Sequence, residues 1–216
     1  LHREGESMYS FYLPKWKGVN RETGLGEFWV DPEDESKGVT NLYSDAGYTI
    51  VGKALPDFVG GMTNTFTFLN GMIDLSFLIS YQFGGSLFDY LGYFTYSDGL
   101  RSTSMNAAAG AADYWTPENK DAKYPMPIMN NPYRWDRWSS RIIHSTDNIR
   151  MREITLGVNI PVKRHIEKLR VYFRSNNPFM IWSATPDIDP DVPLNGYRTV
   201  DVPVTRSFIF GVNITL

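Results

Sequence analysis

Apolar and polar residues alternate along several segments of the chain, and this period of two is typical of a β-strand rather than a helix. The clearest case is Ile73–Phe83, whose odd positions are all apolar or aromatic, whereas Leu78 is the one apolar residue at an even position. The segment is eleven residues long, and a tilted strand needs roughly 9–11 residues to cross a bilayer. The pattern predicts a strand with one apolar face.

Five further segments show the same period, the first of them less regularly. They are Met8–Trp16, Met62–Leu69, Met151–Ile160, Lys168–Arg174 and Val204–Leu216. About six strands are therefore predicted.

The connections between these strands alternate between short and long. Asn70-Gly71 is a strong signal for a tight hairpin, and Pro161–His165 is a second short link. The other links exceed the roughly 12–15 residues that a compact domain tolerates without structure: Lys17–Asp57, Gly84–Ile142 and Ser183–Pro203. Short turns at one end and long loops at the other are typical of outer-membrane barrels. The predicted fold is all-β, an antiparallel transmembrane barrel segment with long extracellular loops.

In such a barrel the apolar face of each strand lies against lipid. The residues predicted to face lipid are Ile73, Leu75, Phe77, Ile79, Ile154, Leu156, Val158, Phe208, Phe210 and Val212. Arg152 and Arg206 have the same parity near the loop ends of their strands. Because arginine costs little at the bilayer surface, both are interpreted as contacts to anionic headgroups.

Six strands cannot close a barrel, since single-chain barrels use about 8 or more. An open edge would leave backbone groups unpaired in hydrocarbon, at several kcal/mol each. The strand in Met8–Trp16 and the final strand are therefore predicted to be edges whose outer neighbours lie outside this sequence.

Composition narrows the function further. The formal net charge of −3 gives no sign of a nucleic-acid surface, and the chain has no cysteine for a disulfide or thiolate site. His2, His144 and His165 are too scattered to suggest a metal site, and no serine-nucleophile motif is present. Neither catalysis, a cofactor nor a metal is expected. The carboxylates of Asp187–Asp191 lack the glycine and glutamate of a calcium loop, so a solvated loop is the preferred interpretation.

Several ordered motifs then become recognisable. Ile50–Gly61 reads IVGKALPDFVGG, and Tyr114–Asn119 reads YWTPEN. Arg152–Gly157 (REITLG), Leu169–Tyr172 followed by Asn176–Phe179, and Arg206–Ile214 complete the set. In this order they resemble the barrel region of SusC/RagA-type TonB-dependent outer-membrane transporters, from about Phe11 onward.

The resemblance implies the C-terminal portion of such a barrel over residues 1–216, with the plug domain and TonB box absent from this sequence. It implies a location in the bacterial outer membrane and active import of glycans or peptides. The implied partners are the rest of the barrel, the plug, a SusD/RagB-like surface lipoprotein, TonB through the plug, and outer-membrane lipid. Two other functions stay open: a soluble β-sandwich that binds carbohydrate, and a non-transporting outer-membrane scaffold.

One long loop is unusually aromatic. The candidates for substrate contact within it are Trp115, Tyr124, Trp135 and Trp138, with Tyr133 nearby. Exposed rings could stack on a ligand, whereas the alternative is that the loop packs on its own aromatic side chains. A short helix is predicted in the same loop at Ala107–Ala112 because alanine has high helix propensity.

Overall fold

The computed structural model describes residues 3–100, 104–162, 166–200 and 202–216. Strands dominate, and in chain order they are β1 (Ser10–Pro14), β2 (Trp16–Val19), β3 (Gly26–Trp29), β4 (Val39–Thr40), β5 (Tyr48–Lys53), β6 (Phe58–Phe68), β7 (Ile73–Phe83), β8 (Ser86–Asp89), β9 (Ile143–Ser145), β10 (Asn148–Ile160), β11 (Lys168–Ser183), β12 (Tyr197–Arg198) and β13 (Ser207–Thr215). The helix α1 covers Tyr90–Thr95, and 3-10 turns cover Glu35–Lys37, Tyr43–Asp45, Ala109–Ala112 and Ser140–Ile142. Over the described ranges, no helix has the length and apolarity needed to span a bilayer.

The chain divides into two compact units. The sheet unit comprises Pro56–Gly85, Ser145–Asp191 and Val202–Leu216. The loop unit comprises Leu1–Leu55, Ser86–His144 and Val192–Asp201.

The sheet unit is built on one five-stranded antiparallel sheet with the order β13-β11-β10-β7-β6. Each of its strands forms in a segment where alternation predicts one, and the strands are longer than predicted at β6, β10 and β11. Because directly opposed residues share a face in an antiparallel pair, the register aligns the apolar positions of all five strands. The predicted all-β, antiparallel fold is confirmed.

The hairpin between β6 and β7 closes with Phe68 opposite Ile73, so its loop contains four residues rather than two. Leu69 and Asn70 have φ of 53° and 54°, and Gly71 has φ of 86°. This left-handed stretch favours glycine and asparagine over leucine. The second predicted short link joins β10 to β11, and its residues 163–165 lie outside the described residues.

The edges of the five-stranded sheet differ from the prediction at one side. The strand expected in Met8–Trp16 forms at β1, but it pairs with β5 in a separate two-stranded sheet of the loop unit. Consequently β6, not β1, is the edge opposite β13, and the sheet has five strands rather than six. The sequence signal was right about the strand, but alternation carries no information about its partner.

The loop unit is a packed structure rather than a set of open loops. Its segments form the β2-β3-β4 sheet, the β1-β5 pair and a sheet of β12, β8 and β9 in which β12 runs parallel to β8. One core cluster is centred on Phe11 and Phe88, and a second on Phe28 and Trp135. The predicted helix at Ala107–Ala112 is reduced to the 3-10 turn Ala109–Ala112, while α1 was not predicted.

Candidate functional site

The sheet unit presents one continuous apolar face. Phe77 lies opposite Ile154, Leu75 opposite Leu156, and Ile73 opposite Val158. The same apolar face continues from β10 across β11 to β13, where Phe173 lies opposite Phe210 and Val171 opposite Val212. Three residues on β13 are strongly exposed: Phe208 at 64%, Phe210 at 82% and Val212 at 58%. The ten residues predicted to face lipid therefore share one face, and contact with lipid remains a prediction.

The opposite face of the same sheet carries hydrogen-bonded polar groups. The Arg170 guanidinium donates to Asp74 at 2.6 Å, and Asn159 donates to the carbonyl of Gly71 at 2.8 Å. Arg174 lies 3.5 Å from the Glu153 carboxylate and donates to the Thr155 hydroxyl. These ion pairs cross from strand to strand, so they give this face a fixed charge pattern.

A β-bulge in β10 corrects the interpretation of Arg152. The register of β10 shifts against β7 between Met151, which lies opposite Ile79, and Glu153, which lies opposite Leu78, so Arg152 is an extra residue on this side without an opposite partner. A bulge reverses the alternation on one side of it. Arg152 accordingly donates from Nε to the Ser80 hydroxyl at 2.6 Å, on the polar face. Its assignment to the apolar face and to headgroups was wrong, whereas Arg206 lies exposed just before β13 and its role stays a prediction.

Residues 184–191, here called the strap, lie over the polar face at the ends of β10 and β7. Arg152 donates from both terminal nitrogens to Asp191, at 2.6 and 2.9 Å. Arg150 donates to Asp189 at 2.5 Å, and Gln82 donates to the backbone carbonyl of Pro190 at 3.5 Å.

The acidic cluster is therefore bound to two strand arginines, and the interpretation as a solvated loop was wrong for Asp189 and Asp191. Burial alone would raise the pKa of the Asp191 carboxyl, but the hydrogen bond and charge of Arg152, with the charge of Arg150, hold that pKa below its ordinary value. Within the described ranges, no group of His, Cys, Asp and Glu side chains is arranged to hold a metal ion.

In the loop unit, most of the aromatic candidates serve packing. Trp135 is 1% exposed, stacks on Tyr133 at 5.1 Å and donates its indole N–H to the carbonyl of Asn41. Trp115 donates to the carbonyl of Arg21 and lies against Gly24.

Tyr124 stacks on Tyr96 at 4.9 Å, and burial, with the neighbouring Tyr96, raises the pKa of Tyr124 to about 12. For Trp135 a ligand-stacking role is wrong in this conformation because both ring faces are covered. Trp115 and Tyr124 are partly buried by these contacts, and a role for them in substrate contact stays a prediction.

Trp138 is different, because it remains 41% exposed at a concave surface. It lines a cavity of about 280 Å³ together with Tyr43, Tyr93, Arg134 and Arg137. The two arginines were not singled out from the sequence. The run Arg134-Trp135-Asp136-Arg137-Trp138 contains the signal, but only the fold shows which of its side chains point outward.

A single antiparallel sheet with one exposed apolar face, one ion-paired face and long structured connections defines the chain as a segment of a transmembrane β-barrel. The barrel is not closed by these strands, since both β6 and β13 have one neighbour within the described residues.

Comparisons with known proteins agree with this class. TonB-dependent receptor P3 of Formosa agariphila is 25% identical over 236 aligned residues, covering 98% of this chain and 22% of that protein. TonB-dependent receptor P39 of the same organism is 29% identical over 157 residues, covering 68% of this chain and 14% of that protein. The chain is thus similar to TonB-dependent receptors over most of its length, and the resemblance drawn from the sequence is confirmed. No family model matches the chain.

Solved structures share the fold. The RagAB peptide importer in its "open-open" state superposes with a TM-score of 0.79 at 18% identity, over 96% of this chain and 22% of that one. The structure of the RagAB peptide transporter gives a TM-score of 0.77 at 19% identity, over 95% and 22%. The chain spans 14–22% of the length of the curated relatives it matches.

Proposed function

We propose that this chain forms part of the wall and extracellular loops of an outer-membrane active importer of glycans or peptides. The sheet unit would be the membrane-spanning wall, and the long connections between its strands would be extracellular. A surface lipoprotein would cap the importer, and TonB would supply energy through a plug. Homology to TonB-dependent receptors and the fold shared with the RagAB peptide importer support this proposal.

The observation that carries the proposal is the exposed apolar face of the sheet. A soluble β-sandwich buries the apolar face of one sheet against a second sheet. All strands of the sheet unit that the structure describes belong to one sheet, and Phe210 on its apolar face is 82% exposed. In water such a face would be an aggregation surface, whereas in a bilayer it is the favoured contact. The barrel wall is therefore preferred over the sandwich.

Sidedness follows from loop length. In outer-membrane barrels short turns are periplasmic and long loops are extracellular, so the β6–β7 hairpin would be periplasmic and Glu118 would be outside. The chain has no cysteine, so cysteines introduced one at a time at Met72 and Glu118 are its only thiols, and they can be labelled on intact cells in a full-length protein whose cysteines elsewhere are replaced by serine. A membrane-impermeant thiol reagent should label Glu118→Cys and spare Met72→Cys until the cells are broken. The reverse pattern would invert the proposed topology.

Transport itself separates an importer from a non-transporting scaffold. Uptake of a panel of fluorescent oligosaccharides and peptides should fall to background when the gene is deleted, and equally when TonB is deleted. If uptake of every member of the panel is unchanged in both strains while the protein is correctly inserted, the scaffold is the better account.

A further inference from the structure

The cavity beside Trp138 combines aromatic walls with positive charge. Three of its five lining side chains are aromatic (Tyr43, Tyr93 and Trp138) and two are arginines (Arg134 and Arg137), and none is acidic. Its volume of about 280 Å³ is suited to one sugar ring rather than an extended polymer. The lining residues all belong to the loop unit.

Arg134 and Arg137 are positioned by different contacts, and both guanidinium groups keep N–H donors that a ligand can accept from. Arg134 pairs through Nε with Asp136 Oδ1 at 3.2 Å, and the Asp136 side chain is fully buried while Arg134 is 43% exposed. The buried carboxylate therefore fixes the Arg134 guanidinium at the surface. Among the described residues no carboxylate pairs with Arg137, whose guanidinium lies 5.8 Å from the centre of the Tyr43 ring. A guanidinium presents a planar fork of donors that matches a carboxylate.

The aromatic walls are rigid. The Trp138 ring packs edge-on against Phe88 at 5.2 Å and against Tyr93 at 6.2 Å. Tyr43 donates its hydroxyl to the Trp138 carbonyl at 3.0 Å and accepts from the Tyr48 hydroxyl at 3.3 Å. Burial, with the Tyr48 hydrogen bond, raises the pKa of Tyr43, so this donor stays protonated at neutral pH. Rings fixed in this way lose little entropy when a ligand stacks on them.

We propose that this cavity binds a carboxylate-bearing sugar, a hexuronate unit of an acidic glycan. The sugar ring would lie against Trp138, and its carboxylate would accept hydrogen bonds from Arg137 and Arg134. The inference rests on the proposed import function, of which it names the substrate class.

An acidic peptide offers the same carboxylate but needs partners for its backbone. Extended peptides usually gain these by pairing with the edge of a strand. The cavity is lined by a 3-10 turn (Tyr43), the helix α1 (Tyr93) and an irregular segment (Arg134, Arg137, Trp138), and none of these described residues belongs to a strand. Aromatic and guanidinium groups without a strand edge favour a ring-shaped ligand.

Binding can be measured on the purified full-length protein in detergent by isothermal titration with three probes: tri-galacturonate, the neutral galactotriose and tri-glutamate. We expect tri-galacturonate to bind clearly more tightly than either of the others. Arg137→Gln should weaken its binding about tenfold or more, as for loss of a charge-assisted hydrogen bond. Arg137→Lys, which keeps the charge but loses the fork, should lie between. The matched control is Arg21→Gln in the same unit, which removes an exposed arginine whose partner is Asp121 and should leave binding unchanged.

Equal affinity for galactotriose would overturn the proposal, because the carboxylate would then contribute nothing. Binding of tri-glutamate without tri-galacturonate would replace the sugar by a peptide, and an unchanged affinity in Arg137→Gln would remove the cavity from the binding site. The titration uses neither TonB nor energised cells. Absence of binding therefore counts against this site, whereas absence of uptake with binding intact counts against the proposed import.

Discussion

The two units of this chain differ in whether they bury large apolar side chains. Leaving proline and glycine aside, every hydrophobic residue that is buried within the described ranges, at 9% exposure or less, belongs to the loop unit: Phe11, Phe28, Ala46, Ala54, Leu87, Phe88, Ala122, Trp135 and Ile142. The buried residues of the sheet unit include polar ones such as Thr155, Ser175 and Arg150, while Phe210 and Val212 are exposed. The loop unit thus has apolar cores as a water-soluble domain does, whereas the sheet unit leaves its large apolar side chains partly or largely exposed.

This difference in burial means that the two units are suited to different surroundings. An exposed apolar face is costly in water but favourable in lipid, so on the proposed function a bilayer stabilises the sheet unit. The loop unit gains its stability from two apolar clusters and needs only water around it. If this comparison is correct, substitutions should affect the two units by different mechanisms.

The largest effect is expected in the core of the loop unit. Trp135→Ala removes a buried ring that packs in the Phe28 cluster and donates to Asn41, and such truncations cost about 3–5 kcal/mol. Hydrogen exchange on the full-length protein should show faster exchange in the loop unit and unchanged exchange in β7 and β10. Trp138→Ala, at a half-exposed position, is the control and should cost less. Loss of protection from hydrogen exchange in β7 and β10 would contradict the view that the two units are stabilised by different contacts.

The apolar face of the sheet should give the next largest effect. Phe77→Arg places a charge at mid-strand on the apolar face and should cost about 2–4 kcal/mol near the bilayer centre. Ser76→Arg is the matched control one residue away, since Ser76 lies opposite Thr65 and Thr155 on the polar face. Both are measured by refolding the full-length protein into bilayers. An equal loss of stability at the two positions would contradict the assignment of the apolar face to lipid.

The strap should give a smaller effect that depends on pH. Asp191→Asn keeps the shape but removes the charge that pairs with Arg152, and hydrogen bonds to charged groups contribute about 1.5–3 kcal/mol, here toward the lower end because both groups are partly exposed. We expect faster hydrogen exchange in residues 184–191 and little change elsewhere. Arg152→Gln should likewise speed exchange in the strap, whereas Arg152→Lys, which keeps the charge, should retain part of the protection.

The direction of the pH effect follows from the lowered pKa of Asp191. A carboxyl whose pKa is lower in the folded state stabilises the fold above its ordinary value of 3.8, and this contribution is lost as the pH falls through the folded-state pKa. Protection of the strap should therefore fall below about pH 4 in the wild type, and Asp191→Asn should lack that transition. A strap equally protected at acidic and neutral pH would mean that the ion pair does not hold it.

The sequence predicted the five strands of the main sheet because one-sided burial imposes a period of two on every strand. It could not predict the partner of β1 or the bulge at Arg152. Both depend on contacts between distant segments, and a single extra residue reverses the parity on which the faces were assigned. Ile154, Leu156 and Val158 all follow the bulge, so the prediction that they share one face is correct. Arg152 lies at the bulge itself, so the face predicted for it is wrong.

The candidate site was less predictable than the fold. The cluster of aromatic residues pointed to the right loop, but composition does not distinguish Trp135, which is buried, from Trp138, which is exposed. The pairing of Asp189 and Asp191 with Arg150 and Arg152 joins positions 39 residues apart. No local pattern encodes such a contact, so a solvated loop was the natural reading of the acidic run.

The smallest effect is expected for an ion pair at the surface of the loop unit. Arg21 lies 3.0 Å from Asp121, but both side chains are about three-quarters exposed, at 75% and 76%. Solvent and salt screen such a pair, and the entropy lost on ordering the two side chains offsets most of the attraction. Arg21→Gln should therefore change the free energy of unfolding by less than about 0.5 kcal/mol, in contrast to Asp191→Asn in the strap. Thermal unfolding of the wild type and of Arg21→Gln at low and high salt tests this prediction. If the ion pair stabilised the protein, the variant would unfold at a clearly lower temperature at low salt, and this difference would vanish at high salt.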